Sequence, residues 1–505
     1  MPETTPPAAG AHHDAPWAVL IIGAGFGGLA MAIALRRAGE RDVLLLEKSN
    51  DVGGVWRENT YPGAACDVPS HLYSFSFEPN PRWSRSFSPQ PEILDYLRHC
   101  ASKYGVREQI RFGCTVTGAA FDEGAALWRV QWHDARGDAH EACARTLVSA
   151  VGLLSRPVLP ALEGRADFAG PAFHSAQWRH DVALAGKRVA VIGTGASAIQ
   201  FVPQLAREAT QLTVFQRTPS WILPRGDRAY TAAEQGRFER RPWLMAWHRA
   251  ALYLAHDARA IGFTRAKWLL DTIGAWPARR LLRTQVADPA LRERLTPKYT
   301  IGCKRVLVSD DWLPTFARAN VELVTEAIAR ITPTGVRVAG GREIEADAIV
   351  LGTGFAASEF LAPMEIRGRG GRSLNDAWSQ GARAWLGIAV PGFPNFFMLY
   401  GPNTNLGHNS IVFMLECQVA HVMRCLRKRG AAPAATIEVD EAPFGRYNVR
   451  VQQRSRQTVF AGCASWYTDA QGRHTVNWPG FTTTYRWLTR HGSLAVYTVL
   501  PAAVR

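Results

Sequence analysis

Two stretches of this chain, WAVLIIGAGFGGLAMAIALRRAG from Trp17 and KRVAVIGTGASAIQFVPQLA from Lys187, each run from an apolar strand through closely spaced glycines into a helical pattern. Few folds accept that arrangement twice. The glycines permit a tight turn and close approach of the backbone. The helix that follows offers free amides and the positive end of its dipole, so each stretch predicts a cradle for a pyrophosphate. The first cradle is Gly23, Gly25 and Gly28; the second is Gly193, Gly195 and Ala198.

The two differ at the position that meets a ribose. The strand after the first loop, DVLLLEK, ends at Glu47, 24 residues beyond Gly23. A carboxylate there accepts from ribose hydroxyls and repels a 2′-phosphate. After the second loop the equivalent offset, 24 residues beyond Gly193, falls on Arg217, with Thr218 beside it. A guanidinium fork pairs bidentately with phosphate, so the second loop suits NADPH and the first a nucleotide with a bare ribose. The fold expected is α/β, with two Rossmann-like dinucleotide-binding domains, one for FAD and one for NADP. Later strands ending in small residues, LVSAVGLLSRP at 147–157 and DAIVLGTGF at 347–355, carry the chain between them. The expected division is a disordered leader at 1–15, FAD domain at 16–152, NADP domain at 153–225, helical insertion at 226–300, NADP domain again at 301–380 and FAD domain again at 381–505.

At 505 residues, 47% hydrophobic and 20% charged, the chain reads as globular and large enough for several domains. Trp17 to Leu35 is 19 residues without a charge, but its four glycines within six positions break it into strand, turn and helix rather than a membrane span. The polar N-terminus lacks a signal-peptide pattern, which suggests a cytoplasmic protein. The eight cysteines show no CxxC or CxxxxC pair, so neither a zinc ribbon nor a disulfide framework is indicated, and a reducing compartment is expected. The scattered histidines show no ligand spacing, so no metal is expected.

Three further segments are similar to the flavin-dependent Baeyer-Villiger monooxygenases, within the broader flavin-containing monooxygenase superfamily. FAGPAFHSAQW places Phe168, Gly170, His174 and Trp178 on the family fingerprint, in the linker before the second loop. Relatives that oxidise amines and sulfides usually carry Tyr or Phe where this chain has Trp178. GGVWRENTYPGAACD matches a second motif at Gly53, Gly54, Trp56, Tyr61, Pro62, Gly63 and Asp67, and GCKRVLVSDDW a third at Lys304 and Arg305. The resemblance spans about residues 17 to 490. It departs from the family pattern at Arg179, which follows the fingerprint Trp, and in YGPNTNLGHNS, so the substrate pocket is not carried over.

The resemblance implies an enzyme that uses NADPH, FAD and dioxygen to insert one oxygen beside a ketone carbonyl, through a flavin C4a-peroxide. It assigns Lys304 to the 2′-phosphate, Trp56 and Asp67 to the flavin side, Arg305 and Asp67 to catalysis, and His174 to coupling nicotinamide binding to closure, with Phe168 and Trp178 anchoring a moving linker. A deprotonated peroxide attacks a carbonyl, whereas the protonated form donates oxygen to nitrogen or sulfur. A permanent cation about 4 Å away contributes on the order of 4 kcal/mol at an effective dielectric near 20, or roughly three pK units. Arg suits that task because it keeps its proton. A carboxylate such as Asp67 is then needed to pair with it and orient it.

Residues 225–300 hold 15 Lys and Arg against 7 Asp and Glu, a large share of the net charge of +15. Trp243, Trp247, Trp268 and Trp276 lie among them in amphipathic helical patterns. A packed helical subdomain with a solvated basic face is expected; weak peripheral contact with an anionic membrane is a second use, and no nucleic acid is expected. Two functions compete with ketone oxidation: oxygenation of nitrogen, sulfur or carbon, and a flavoprotein whose basic insertion is a binding platform.

Overall fold

The computed structural model describes residues 15–500 except Pro433, Ala464 and Ala470, so the leader expected at 1–15 lies almost wholly outside the described residues. Two five-stranded parallel sheets organise the chain. In the first, the strands run Phe396–Met398, Leu147–Ser149, Val19–Ile22, Val43–Leu46 and Ile110–Arg111 across the sheet. Its central strands, VLII and VLLL, are buried throughout, as expected of parallel strands covered on both faces. Alternate residues serve different cores. Val19, Ile21, Val43 and Leu45 pack beneath the helix Phe26–Arg37 and its neighbour Ile411–Arg429. Leu20, Ile22, Leu44 and Leu46 pack against an antiparallel ribbon containing Thr115–Asp122 and Leu127–His133.

The second sheet runs Val321–Val324, Gln211–Phe215, Arg188–Ile192, Ala348–Leu351 and Ala172–His174. Here too, Val189, Val191, Leu212 and Val214 face one core, while Ala190, Ile192 and Phe215 face another. The architecture is the expected pair of Rossmann-like units, with the helical insertion between Gln211–Phe215 and Val321–Val324.

Three expectations need correction. The fingerprint segment is not a free linker: Ala172–His174 is the edge strand of the second sheet, with Leu351 opposite His174. Gly170 is required because a Cβ there would stand 2.5 Å from the Asp347 carbonyl oxygen. Trp178 is packed on Phe173 and Phe201, with ring centroids 5.3 and 5.4 Å away, and so belongs to that unit's core. Second, the chain returns to the first unit before residue 380, because Glu365–Arg367 pairs with Gly118–Ala120 of the ribbon.

Third, the insertion is less a subdomain with its own core than a cover over both units: Val286 and Leu295 join the core of the second, Ala275 and Ala278 pack against Trp221, and the earlier helices lie on the first. The helix Ala232–Arg240, capped by Thr231 and Glu234, buries no residue. The next helix, Pro242–Ala258, lies across the first unit. There Arg249 donates to the Ser74 hydroxyl at 2.9 Å, Tyr253 packs 4.6 Å from Phe413, and the Asp257 carboxylate accepts from the Thr482 amide at 2.7 Å.

Candidate active site

Each glycine loop follows the central strand of its sheet. Gly23 has φ +98°, and a Cβ on Gly28 would sit 1.8 Å from the Gly23 carbonyl oxygen, so helix and turn meet with no room for a side chain. Gly28→Ala should therefore give protein without the yellow of bound flavin, retaining under roughly a tenth of the cofactor; absorbance against protein mass measures it. Gly25 faces a second turn at Gly53–Gly54, with 3.7 Å separating the position of its Cβ from the Gly54 Cα. Glu47 lies just beyond its strand, buried, one carboxylate oxygen accepting from the Ala24 amide at 2.7 Å and the other from the Ser49 amide at 2.9 Å. The remaining lone pairs suit ribose hydroxyls, and the cradle that added Cβ atoms would fill fits a dinucleotide pyrophosphate. Trp56 is half-buried, donating its indole N–H to the Tyr73 hydroxyl at 3.1 Å and packing edge-on against that ring.

Gly193 and Gly195 lead into the helix Ala198–Glu208, which starts on Ala198. Beyond the adjacent strand, Arg217, Thr218 and Lys304 line one cavity of about 580 Å³, together with Lys298 and Tyr299. The Lys304 ammonium lies 5.1 Å above the Tyr299 ring. Burial and then the neighbouring Arg217 charge push its pKa down. Among the described residues no carboxylate pairs with Arg217 or Lys304. Two adjacent cations sharing a cavity in this way fit the 2′-phosphate of NADP.

Between the units, Arg305 and Asp67 form an ion pair, with Nε donating to the carboxylate at 3.2 Å and Nη2 making a closer contact with the same oxygen. They retain 32% and 28% of their side-chain surface, so the pair is enclosed yet open on one side. Arg305 is raised above its ordinary pKa chiefly by the Asp67 charge, against burial. For Asp67, burial is the largest influence and works upward. The Arg305 charge and hydrogen bond, with help from Arg225, outweigh it and hold the carboxyl below its usual range.

His174 stands elsewhere. It is buried at the end of its strand, Nδ1 accepting from the Ala176 amide at 3.1 Å and its ring 5.7 Å from Phe355. Burial depresses its pKa, and a hydrogen bond to the Gly354 backbone works the other way.

The family model for flavin-binding monooxygenase-like proteins matches residues 17–361. The chain belongs to that family. It is 46% identical to a Baeyer-Villiger monooxygenase of Pseudomonas aeruginosa over 99% of this chain and 94% of the relative, and 43% identical to one of Streptomyces coelicolor over 96% and 93%. Among solved structures, an oxidised steroid monooxygenase bound to NADP superposes with a TM-score of 0.83 at 34% identity, covering 96% of this chain and all of that one. A closed cyclohexanone monooxygenase gives 0.83 at 28%, covering 96% and 99%.

Several residues of this flavin-binding monooxygenase escaped the sequence. Gln200, on the helix after the second glycine loop, accepts from the Tyr61 hydroxyl at 3.0 Å and donates to the Ala65 carbonyl at 2.9 Å, tying the segment that carries Asp67 to the other unit. Arg225 donates to the Cys66 carbonyl at 2.9 Å. Tyr400 and Tyr467 lie within the field of Arg305, and burial pushes the Tyr467 phenol up to about 12, so it stays neutral. One pair of cysteines departs from the expectation. Cys303, immediately before Lys304, is disulfide-bonded to Cys463, with Cα atoms 6.0 Å apart, a pairing 160 residues long that spacing rules do not register. The described residues hold no cluster of metal-ligating side chains.

Proposed function

We propose that the chain is an NADPH- and dioxygen-dependent Baeyer-Villiger monooxygenase, converting a ketone to an ester or lactone while dioxygen's second atom leaves as water. The observation that carries this is a permanent cation, Arg305, oriented by Asp67 between two dinucleotide cradles of opposite charge preference. The cradle of Gly23, Gly25, Gly28, Glu47 and Trp56 would hold FAD; that of Gly193, Gly195, Ala198, Arg217, Thr218 and Lys304 would hold NADPH. When bound, the coenzymes supply a hydride and the activation of dioxygen.

The protein's part is electrostatic. Arg305 cannot surrender its proton, so it presents fixed positive charge where negative charge develops on oxygen during attack on a carbonyl. Asp67 fixes the guanidinium plane and supplies the compensation that an enclosed cation needs. Gln200 keeps the Asp67 segment in register with the NADP unit. His174 is supported as a coupling residue by its place at the end of the second sheet, against the Gly354 backbone. A small-molecule ketone is the substrate class, and the cytoplasm is the proposed location.

The test is mass spectrometry of products from a ketone panel with NADPH and isotopically labelled oxygen gas. One labelled atom in an ester or lactone is expected. Labelled sulfoxide from a thioether with no ester from any ketone would favour heteroatom oxygenation instead, a reading to which the names of the relatives lend no support.

A further inference from the structure

The helix Pro242–Ala258 has a covered face of mixed polarity and an apolar face that is exposed. Its inner face carries the contacts to Ser74, Phe413 and Thr482. Its outer face shows Trp243, Ala246, Trp247, Ala250, Leu254 and Ala258, a stripe at spacings of three and four with no charged or polar residue in it. Trp243 is 65% exposed and Trp247 72%. At 1.5 Å per residue the stripe runs about 22 Å. A solvated helix of a globular protein places charges on that side.

A second exposed stripe follows in the same insertion. Trp268, Ile273 and Trp276 are exposed, and the helix Trp276–Gln285 then presents Arg280, while Arg279, 5.8 Å over the Trp221 ring, and Arg283 are exposed at the mouth of a neighbouring cavity. The Arg280 guanidinium lies 5.3 Å over the Trp276 ring, so the aromatic stripe passes directly into the basic one. Arg265 and Lys267 are exposed between the two stripes. From 242 to 283 the only carboxylates are Asp257, buried against Thr482, and Asp271.

We propose that this insertion rests on an anionic lipid surface, lying in the headgroup plane with its tryptophans inserted and its arginines paired to lipid phosphates. Tryptophans and arginines in these positions match the demands of a bilayer interface, where apolar burial and attraction to anionic lipids add. No helix among the described residues is long and apolar enough to cross a membrane, so the contact is peripheral. Charge selects a membrane over a second copy of the chain. A twofold interface sets the same patch against itself and would gather Arg265, Lys267 and Arg280 of both copies in one seam, whereas an anionic bilayer neutralises them.

The flavin-loaded full chain is sedimented with vesicles of phosphatidylcholine, alone or mixed with phosphatidylglycerol, at low and high salt. Binding about tenfold stronger to the anionic vesicles, lost at high salt, is expected. The doubly substituted Trp247→Glu and Trp243→Glu chain should lose that binding about tenfold while its ketone-dependent NADPH consumption is unchanged. Equal, weak sedimentation with both vesicles would overturn the proposal. So would a double variant that still binds, a dimer in light scattering that the variant abolishes, or retention by RNA in place of vesicles.

Discussion

Arg305→Ala should give a yellow protein that NADPH still reduces and that forms no ester. The two cradles lie outside the ion pair, so cofactor content and the reductive half of turnover survive the change. The oxidative half loses its fixed cation. Removing a preorganised charge or donor from a developing oxyanion typically costs on the order of 10² to 10³ in turnover. Product yield per NADPH consumed should fall by at least about that factor, the reducing equivalents leaving by other routes. Retained ester formation at the wild-type rate would remove Arg305 from the chemistry.

The same variant tests the pairing with Asp67. With Arg305 present, Asp67 is held below its ordinary pKa, so the pair's contribution to stability is full above the unfolded carboxylate value, near 3.9, and is lost as pH falls through the lower folded value. With Arg305 gone, burial dominates and raises Asp67, which reverses the sign: the enclosed carboxylate then destabilises the fold at neutral pH, by at most about 3 kcal/mol given its partial exposure. Replacing Asp67 by Ala as well should recover much of the lost melting temperature while leaving ester formation absent.

What the sequence disclosed and what it hid divide along the range of the interactions. Glu47 and Arg217 were legible because strand, glycine turn and helix are a local unit in which a fixed residue offset maps onto a fixed position in space. The Arg305–Asp67 pair spans 238 residues, and only resemblance to a family brought its members together. Gln200 reaches across 135 residues to Ala65, and the Cys303–Cys463 bond across 160; neither leaves a periodicity or a spacing to read. The fingerprint at Phe168–Trp178 misled for another reason. Its three strand residues, Ala172–His174, are too short a run for alternation to declare itself, and the strand exists because Gly170 lets it approach Asp347. The insertion misled because its helices pack on the two units, and periodicity within a helix does not say what covers its inner face.

Arg217→Ala should raise the NADPH concentration needed for half-maximal flavin reduction by roughly 10- to 100-fold and leave that for NADH nearly unchanged. A hydrogen bond to a charged group contributes about 1.5 to 3 kcal/mol, and about 1.4 kcal/mol is a factor of ten. NADH lacks the 2′-phosphate and forfeits nothing. Lys304 shares the cavity, and its pKa is depressed by burial first and then by Arg217, so the two cations repel and a dianion between them relieves both. Their losses should therefore not add. Two groups on one phosphate are coupled, and the double variant should weaken NADPH binding by a factor different from the product of the single effects. Stopped-flow reduction of the four proteins by both coenzymes measures the coupling directly. Equal losses for NADPH and NADH in Arg217→Ala would mean that the residue supports the loop and not the phosphate.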